Sequence, residues 1–227
     1  MKKNLKFPSL SVIIVAMNCE RILLECLGRI HSQNYPKGLL EILLVDGGSK
    51  DATIDVAKRF GAKVIHGNHP QNAEARRYVG IQHARNDIIV SIDSDNILPH
   101  KNWLKDMVQP FMEDKDIIAA FTKWYGFTAD TTPIDQYYAL LGGNDPITFY
   151  LGKNDRVPYP CDRLPRGAIL VKKKMDYDIV KFDTDHLPAI GCNGFLIRRE
   201  VASQLRYATA EEFFHIDVNI AFRPAPL

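Results

Sequence analysis

"DIIVSIDSDN", residues 87–96, carries an apolar run of Ile88, Ile89, Val90 and Ile92 straight into two carboxylates, Asp93 and Asp95. A run this short and this rich in β-branched residues predicts a strand buried on both faces, as in a parallel sheet covered by helices. Its polar end is the informative part, because open parallel sheets bind ligands in the crevice beyond the carboxyl ends of their strands. Side chains alternate along an extended segment, so Asp93 and Asp95 are expected on one side and Ser94 on the other. Two like charges held so close favour a nearby cation, and hard oxygen ligands without His or Cys suit Mg2+ or Mn2+ shared with phosphate oxygens. The bland alternative is an exposed turn that closes the strand, since Asp, Ser and Asn all favour turns.

Upstream the same pattern repeats. Residues 12–15 form a β-branched run, and Asn18 is placed to cap a helix in which Ile22, Leu23, Cys26, Leu27 and Ile30 recur at helical spacing. A second run, 42–45, ends at Asp46, Gly47 and Gly48, with Ser49 placed to cap the helix "KDATIDVAKRF" that Gly61 stops. Residues 62–65 offer a third strand, and 71–84 a helix with Ala73, Gly80, Ile81 and Ala84 on one face. Repeated β-α units with strands too apolar for a wet face predict an α/β fold, mostly parallel.

Beyond Pro99 the regularity decays. A helix over 102–111 and a strand over 117–122 are expected, whereas 126–167 is rich in Pro, Gly, Asp and Asn and reads as irregular. Order returns with "AILVKKK" and "GCNGFLIRRE". The expected organisation is one domain over 1–227, with a nucleotide-type half to about residue 105 and an irregular half over 106–227 that shapes a second ligand.

Composition excludes several classes. With 46% hydrophobic and 25% charged residues the 227-residue chain can bury a core, and a net charge of +2 gives no field that implies nucleic acid. Lys172, Lys173 and Lys174 remain local anion contacts or a solvated loop. Cys19, Cys26, Cys161 and Cys192 form no Cys-x-x-Cys pair, so a reduced, cytoplasmic setting is expected. "MKKNLKFPSLSVIIVAMNCE" sets lysines before an apolar stretch, but Ser11 interrupts it and no small-x-small site follows. It reads as a first strand, and nothing approaches the roughly 20 apolar residues of a membrane span. P-loop, dinucleotide-binding, zinc-protease and nucleophile-elbow motifs are absent from the sequence.

The successive blocks "LSVIIVAMNCE", "ILLVDGGSKDAT", "ARRYVGIQHA", "DIIVSIDSDNILP" and "GCNGFLIRRE" resemble, in that order, those of family 2 glycosyltransferases, which have the GT-A fold. The resemblance covers most of the chain, strongly to about residue 105 and more thinly from 188 to 223. It implies that Asn18 and Glu20 form the turn that contacts the nucleotide, with Met17 where an aromatic is usual. It implies that Asp46 contributes to reading the base, with Gly47 in place of a second aspartate. The basic position of the third block matches Arg77, beside Arg76, which as a plain helix residue would be solvated. Asp93 and Asp95 match the family's D-x-D, Asp93 at the ribose or a metal-bound water and Asp95 as the direct ligand of Mn2+ or Mg2+.

In "EEFFHIDVNIAFR" the resemblance matches Asp217 to the catalytic base and Arg223 to the family's arginine, with Ile216 where the family has Glu. His215 reads as a packing residue. Family members usually continue past Arg223, so either a short member or an acceptor-side half truncated at its C-terminus is expected. The reaction so implied is inverting, metal-dependent transfer from a nucleotide-diphosphate sugar, a UDP-sugar favoured, to a glycan or lipid-linked hydroxyl in cell-surface polysaccharide or glycolipid assembly. The expected location is cytoplasmic, at most peripheral to the inner face of the membrane. The alternative is a catalytically impaired nucleotide-sugar-binding or partner-binding domain. A nucleotidyltransferase ranks third for want of an early Gly-rich basic loop.

Overall fold

The structure, a computed structural model, describes residues 6–143, 146–152, 154–161, 163–182, 191–204, 206–207 and 209–210. In chain order these form β1 (Leu10–Ala16), α1 (Glu20–His31), β2 (Leu40–Asp46), α2 (Thr53–Arg59), β3 (Lys63–His66), α3 (Ala73–His83), β4 (Ile88–Asp93), α4 (Trp103–Glu113) and β5 (Ala119–Phe121). There follow α5 (Pro133–Leu141), α6 (Pro146–Leu151), β6 (Ala168–Lys173), β7 (Asp178–Phe182), β8 (Phe195–Arg198) and α7 (Arg199–Ala202). They divide into two compact units, one holding the described residues up to Phe121 and from Cys192 onward, the other those from Thr122 to Gly191.

The first unit is built on a six-stranded sheet of order β3-β2-β1-β4-β8-β5. β1 to β4 are parallel to one another, and β8 runs antiparallel between β4 and β5. The chain winds outward from β1 to β3, then α3 returns it to the other side of β1. The switch point therefore lies between β1 and β4. β1 is buried along its whole length, as a central parallel strand must be. Leu10, Val12 and Ile14 share one core with Leu23, Cys26, Leu27 and Ile30 of α1 and with Leu104 and Val108 of α4. α3 covers the opposite face, and Gly80 lets it approach: a Cβ there would lie 2.5 Å from Ile13 Cγ2. Glycine in a helix costs about 1 kcal/mol against alanine, which the close packing offsets. Ser11 is fully buried and satisfied, donating to Glu41 and accepting from the backbone N–H groups of Arg85 and Asn86.

Several local expectations are corrected. Asn18 does not cap α1: it lies in the left-handed region at φ 49°, and Cys19 takes the cap position without a side-chain bond. Ser49 does not cap α2, which begins at Thr53 behind Ala52. Its hydroxyl instead accepts from the Asn18 N–H and donates to Asp46. Gly61 does end α2, at φ 72°.

Asp87 ties the start of β4 to the segment before β1, accepting from both the N–H and the hydroxyl of Ser9. Those bonds, then the nearby Arg199 and Lys6, hold its carboxyl below the usual range. A depressed pKa means the contribution is present above about pH 3.9 and lost as pH falls through the lower, folded value. Asp87→Asn is expected to flatten the acid limb of the urea midpoint against pH. An unchanged limb would show that the carboxylate contributes nothing.

In the second unit the stretch expected to be irregular contains two helices. Thr132 accepts from the Asp135 N–H, Pro133 takes the first helical position, and Gly142 ends α5 at φ 76°. Arg156, fully buried, donates to Thr122 Oγ1 at 3.1 Å and pairs with the Asp155 carboxylate, which also accepts from Tyr125 and the Gly191 N–H. Among the described residues β6 and β7 pair only with each other.

Candidate functional site

The strand register sets the polar ends side by side. Asp46 lies opposite Ala16, and Asp93 opposite Val15, so the tips of β2, β1 and β4 form one row with Asn18 two residues past the middle strand. Asn18 Oδ1 accepts from the Lys50 N–H at 2.8 Å, and Glu20 Oε2 from the Ala52 N–H at 2.9 Å. These two side chains thus fix the loop after β2 against the turn after β1. Asp46, 1% exposed, accepts from the N–H groups of Gly48 (2.8 Å) and Ser49 (3.0 Å). Its carboxylate is turned into its own loop.

Arg77 is not a solvated helix residue. It comes down from α3 onto the face of β4 that carries Ser91 and Asp93, two residues apart, and is 3% exposed. Its Nη2 donates to Asp93 Oδ1 at 2.7 Å, its Nη1 to Ser91, and its Nε to Glu74 Oε2 at 3.2 Å. Burial alone would lower its pKa, but Asp93, Cys192 and Glu74 outweigh it and the net direction is upward. The guanidinium stays charged and fixes one carboxylate of the pair. The Asn193 side chain, in the loop before β8, accepts from the Asp93 N–H at 3.3 Å.

Asp95 departs from the expectation of alternation. β4 ends at Asp93, Ser94 and Asp95 form a turn, and the Asn96 N–H donates back to the Asp93 carbonyl at 3.0 Å. Turn chemistry overrides extension here. The extended backbone that would set both aspartates on one side ends at Asp93: Asp93 is bound to Arg77, whereas Asp95 is exposed and accepts from Asn96 Nδ2 at 3.0 Å. Burial, then the charge of Asp95, push the thiol of Cys26 on α1 up to about 12. Cys26 is thus an inert packing residue.

Arg76 is the second buried cation of the first unit, 6% exposed. Its Nη1 donates to the carbonyls of His69 (2.6 Å) and Pro70 (3.0 Å), while its Nε is the one buried side-chain polar atom without a partner among the described residues. Burial lowers its pKa, opposed by Asp46. A Cβ added at Gly47 would lie 2.8 Å from Arg76 Nη1 and 3.3 Å from Met17 Cβ. Where the family usually has a second aspartate, this chain therefore places an arginine end.

Asp217, with His215, Ile216 and Arg223, lies outside the described residues. The reading of the sequence missed Ser91, Glu74 and Asn193. A polar residue inside an otherwise apolar buried strand was the available signal for Ser91. A cleft of about 320 Å³ lined by Lys6, Asp87, Arg198 and Arg199 lies instead at the start of β4. The Arg198 guanidinium there is engaged by the carbonyls of Phe111, Asp114 and Ile117. Among the described residues no three of His, Cys, Asp and Glu gather to enclose an ion, and no helix is long and apolar enough to cross a membrane.

Comparison with known proteins decides the family. A model described as glycosyl transferase family 2 matches residues 11–205. The chain belongs to glycosyl transferase family 2. Within the family, the glycosyltransferase AglE of Haloferax volcanii is 34% identical over 103 residues, 43% of this chain and 34% of its own length. The chain thus matches about a third of the length of that relative. S. aureus TarS 1–349 in complex with UDP superposes with a TM-score of 0.61 at 16% identity, covering 94% of this chain and 54% of that one. Glucosyl-3-phosphoglycerate synthase of Mycobacterium tuberculosis, with Mn2+, UDP and glucosyl-3-phosphoglycerate, gives 0.50 at 19%, covering 94% and 63%. At these identities the likeness is one of fold, and the mostly parallel sheet with flanking helices is of the GT-A type.

Proposed function

We propose that the chain transfers a sugar, with inversion, from a nucleotide-diphosphate sugar to a hydroxyl of a glycan or lipid-linked acceptor. Assembly of cell-surface polysaccharide or glycolipid, on the cytoplasmic side and peripheral to the membrane, is the setting. The observation that carries the reading is the row of polar strand ends at the switch point, where Arg77 fixes Asp93 and Asp95 remains exposed. A UDP-sugar is the favoured donor, as both fold neighbours above were solved with UDP.

The donor set fits a divalent ion of the Mn2+ or Mg2+ kind: Asp95 offers an exposed, hard carboxylate, and such ions take their remaining ligands from phosphate and water. When bound, the ion would neutralise the negative charge that grows on the departing diphosphate. Asp93, held by Arg77, would orient the ribose. Asn18, Glu20 and Asp46 would shape the two loops that receive the nucleotide. Asp217 would take the proton from the acceptor hydroxyl as its oxygen bonds to the anomeric carbon, while the bond from that carbon to the diphosphate breaks and the nucleoside diphosphate leaves with the electron pair.

A thermal-shift panel of UDP-, GDP- and dTDP-sugars with and without Mn2+ tests donor class, base and metal together. The donor reading predicts stabilisation by one base class that grows with Mn2+. No shift with any of them would sink it. Asp217→Asn is expected to lower kcat about 100-fold, the low end for loss of a general base, with the donor shift unchanged. If donor binds to the wild type without turnover and Asp217→Asn changes nothing, the alternative of a binding domain stands, as the replacement of Glu by Ile216 suggests.

A further inference from the structure

A sheet of two strands is marginal in water unless another layer covers one of its faces. β6 and β7 form such a sheet, and every residue of β6 after Ala168 is exposed. Ile169 pairs with Lys181 and Lys172 with Ile179, so these four share one face. Val171 falls at the register shift between Leu170 and Lys172 and is 62% exposed. Beyond it the Lys174 N–H donates to the Tyr177 carbonyl at 2.9 Å, and the turn so closed lifts Met175 to 99% exposure. Single apolar residues at a surface need no explanation, but a run of Ile169, Leu170 and Val171 with Met175 at the tip does.

The charge pattern selects what covers it. Residues 168–182 hold four lysines against two aspartates, and one of these, Asp178, is paired with Lys123 at 3.5 Å. A protein partner would be expected to exclude lysine from the centre of the contact. At a lipid interface the same lysines are favoured, because their stems lie along apolar surface while the ammonium groups reach headgroup phosphates.

We propose that the β6–β7 hairpin is a docking element for an anionic lipid surface, with Ile169, Val171 and Met175 entering the headgroup boundary and Lys172 and Lys181, on the face that Ile169 shares, meeting lipid phosphates. This rests on the peripheral placement proposed above and not on the transfer chemistry. It would hold the enzyme where a lipid-linked acceptor is presented.

The test is flotation of the 227-residue chain with vesicles of phosphatidylcholine alone or mixed with phosphatidylglycerol, at low and high salt. Binding is expected only with phosphatidylglycerol. Lys172→Gln and Lys181→Gln together should weaken it about 25-fold, at roughly fivefold per lysine near an anionic surface. Ile169→Ser, Val171→Ser and Met175→Ser together should weaken it at least about tenfold, and circular dichroism checks that both variants remain folded. If wild type binds these vesicles and both variants bind equally well, the hairpin is the wrong surface while the peripheral placement stands. If wild type binds neither vesicle, both fall. If the serine variant turns a dimer into a monomer by light scattering and leaves vesicle binding unchanged, a second copy covers this face and the proposal is overturned.

Discussion

Asp95→Ala is expected to leave the fold intact and to lower kcat/KM with a nucleotide-sugar donor about 1,000-fold. Its side chain is exposed, and the bond from Asn96 Nδ2 is the one hydrogen bond found for its carboxylate among the described residues. Removing it strands no buried group, so the stability change should stay within about 0.5 kcal/mol. The kinetic effect follows from its proposed task. Charge stabilisation by a bound ion contributes several kcal/mol to such a step, and about 4 kcal/mol corresponds to 1,000-fold. The same variant should lose the Mn2+-dependent part of the donor thermal shift. Turnover within threefold of wild type, with the same Mn2+ requirement, would remove Asp95 from the metal site.

The contrast between Asp95 and Asp93 shows where the sequence was legible. β1, β2 and β4 could be read because central parallel strands are apolar on both faces, and that run marks where each strand stops. The polar strand ends were therefore visible as residues on one edge of the sheet. What each side chain does there was not, because it depends on partners distant in the chain. Arg76 and Arg77 look like solvated helix residues, yet both are buried, one beside Gly47 and Gly67 and the other against Ser91 and Asp93. The glycines and Ser91 carried the signal, but only as the other half of a contact that a crossover brings together. At Ser94 and Asp95 two local rules competed, and turn preference prevailed over strand alternation. α5 was hidden differently: Thr132, Pro133 and Gly142 mark its ends, but Ile134, Tyr137 and Leu140 are exposed, so the sequence lacks the contrast between a buried and a wet face that marks most helices.

Asp93→Ala is expected to cost about 3 kcal/mol of stability, although Asp93 itself is 35% exposed. The magnitude comes from what is left behind. Arg77 is 3% exposed, and breaking a buried pair from one side typically costs 3–5 kcal/mol because the remaining charge is uncompensated. Glu74 still contacts Arg77 Nε at 3.2 Å, which places the loss at about 3 kcal/mol, the lower end. The converse change differs in kind. Arg77→Met leaves Asp93 and Glu74, whose side chains are 35% and 22% exposed and can be hydrated. If the charge is the cause, Asp93→Asn, which keeps an acceptor but no charge, should lose nearly as much as Asp93→Ala. The double variant Asp93→Ala with Arg77→Met should then recover about 1 kcal/mol relative to Asp93→Ala alone, as expected of directly coupled neighbours. Urea midpoints followed by circular dichroism at neutral pH measure the four variants against wild type. Additive losses in the double variant would mean that Arg77 does not depend on Asp93. The ribose-orienting role proposed for Asp93 would then lose its physical support, since a carboxylate that Arg77 does not fix is no better preorganised than any exposed strand-end aspartate.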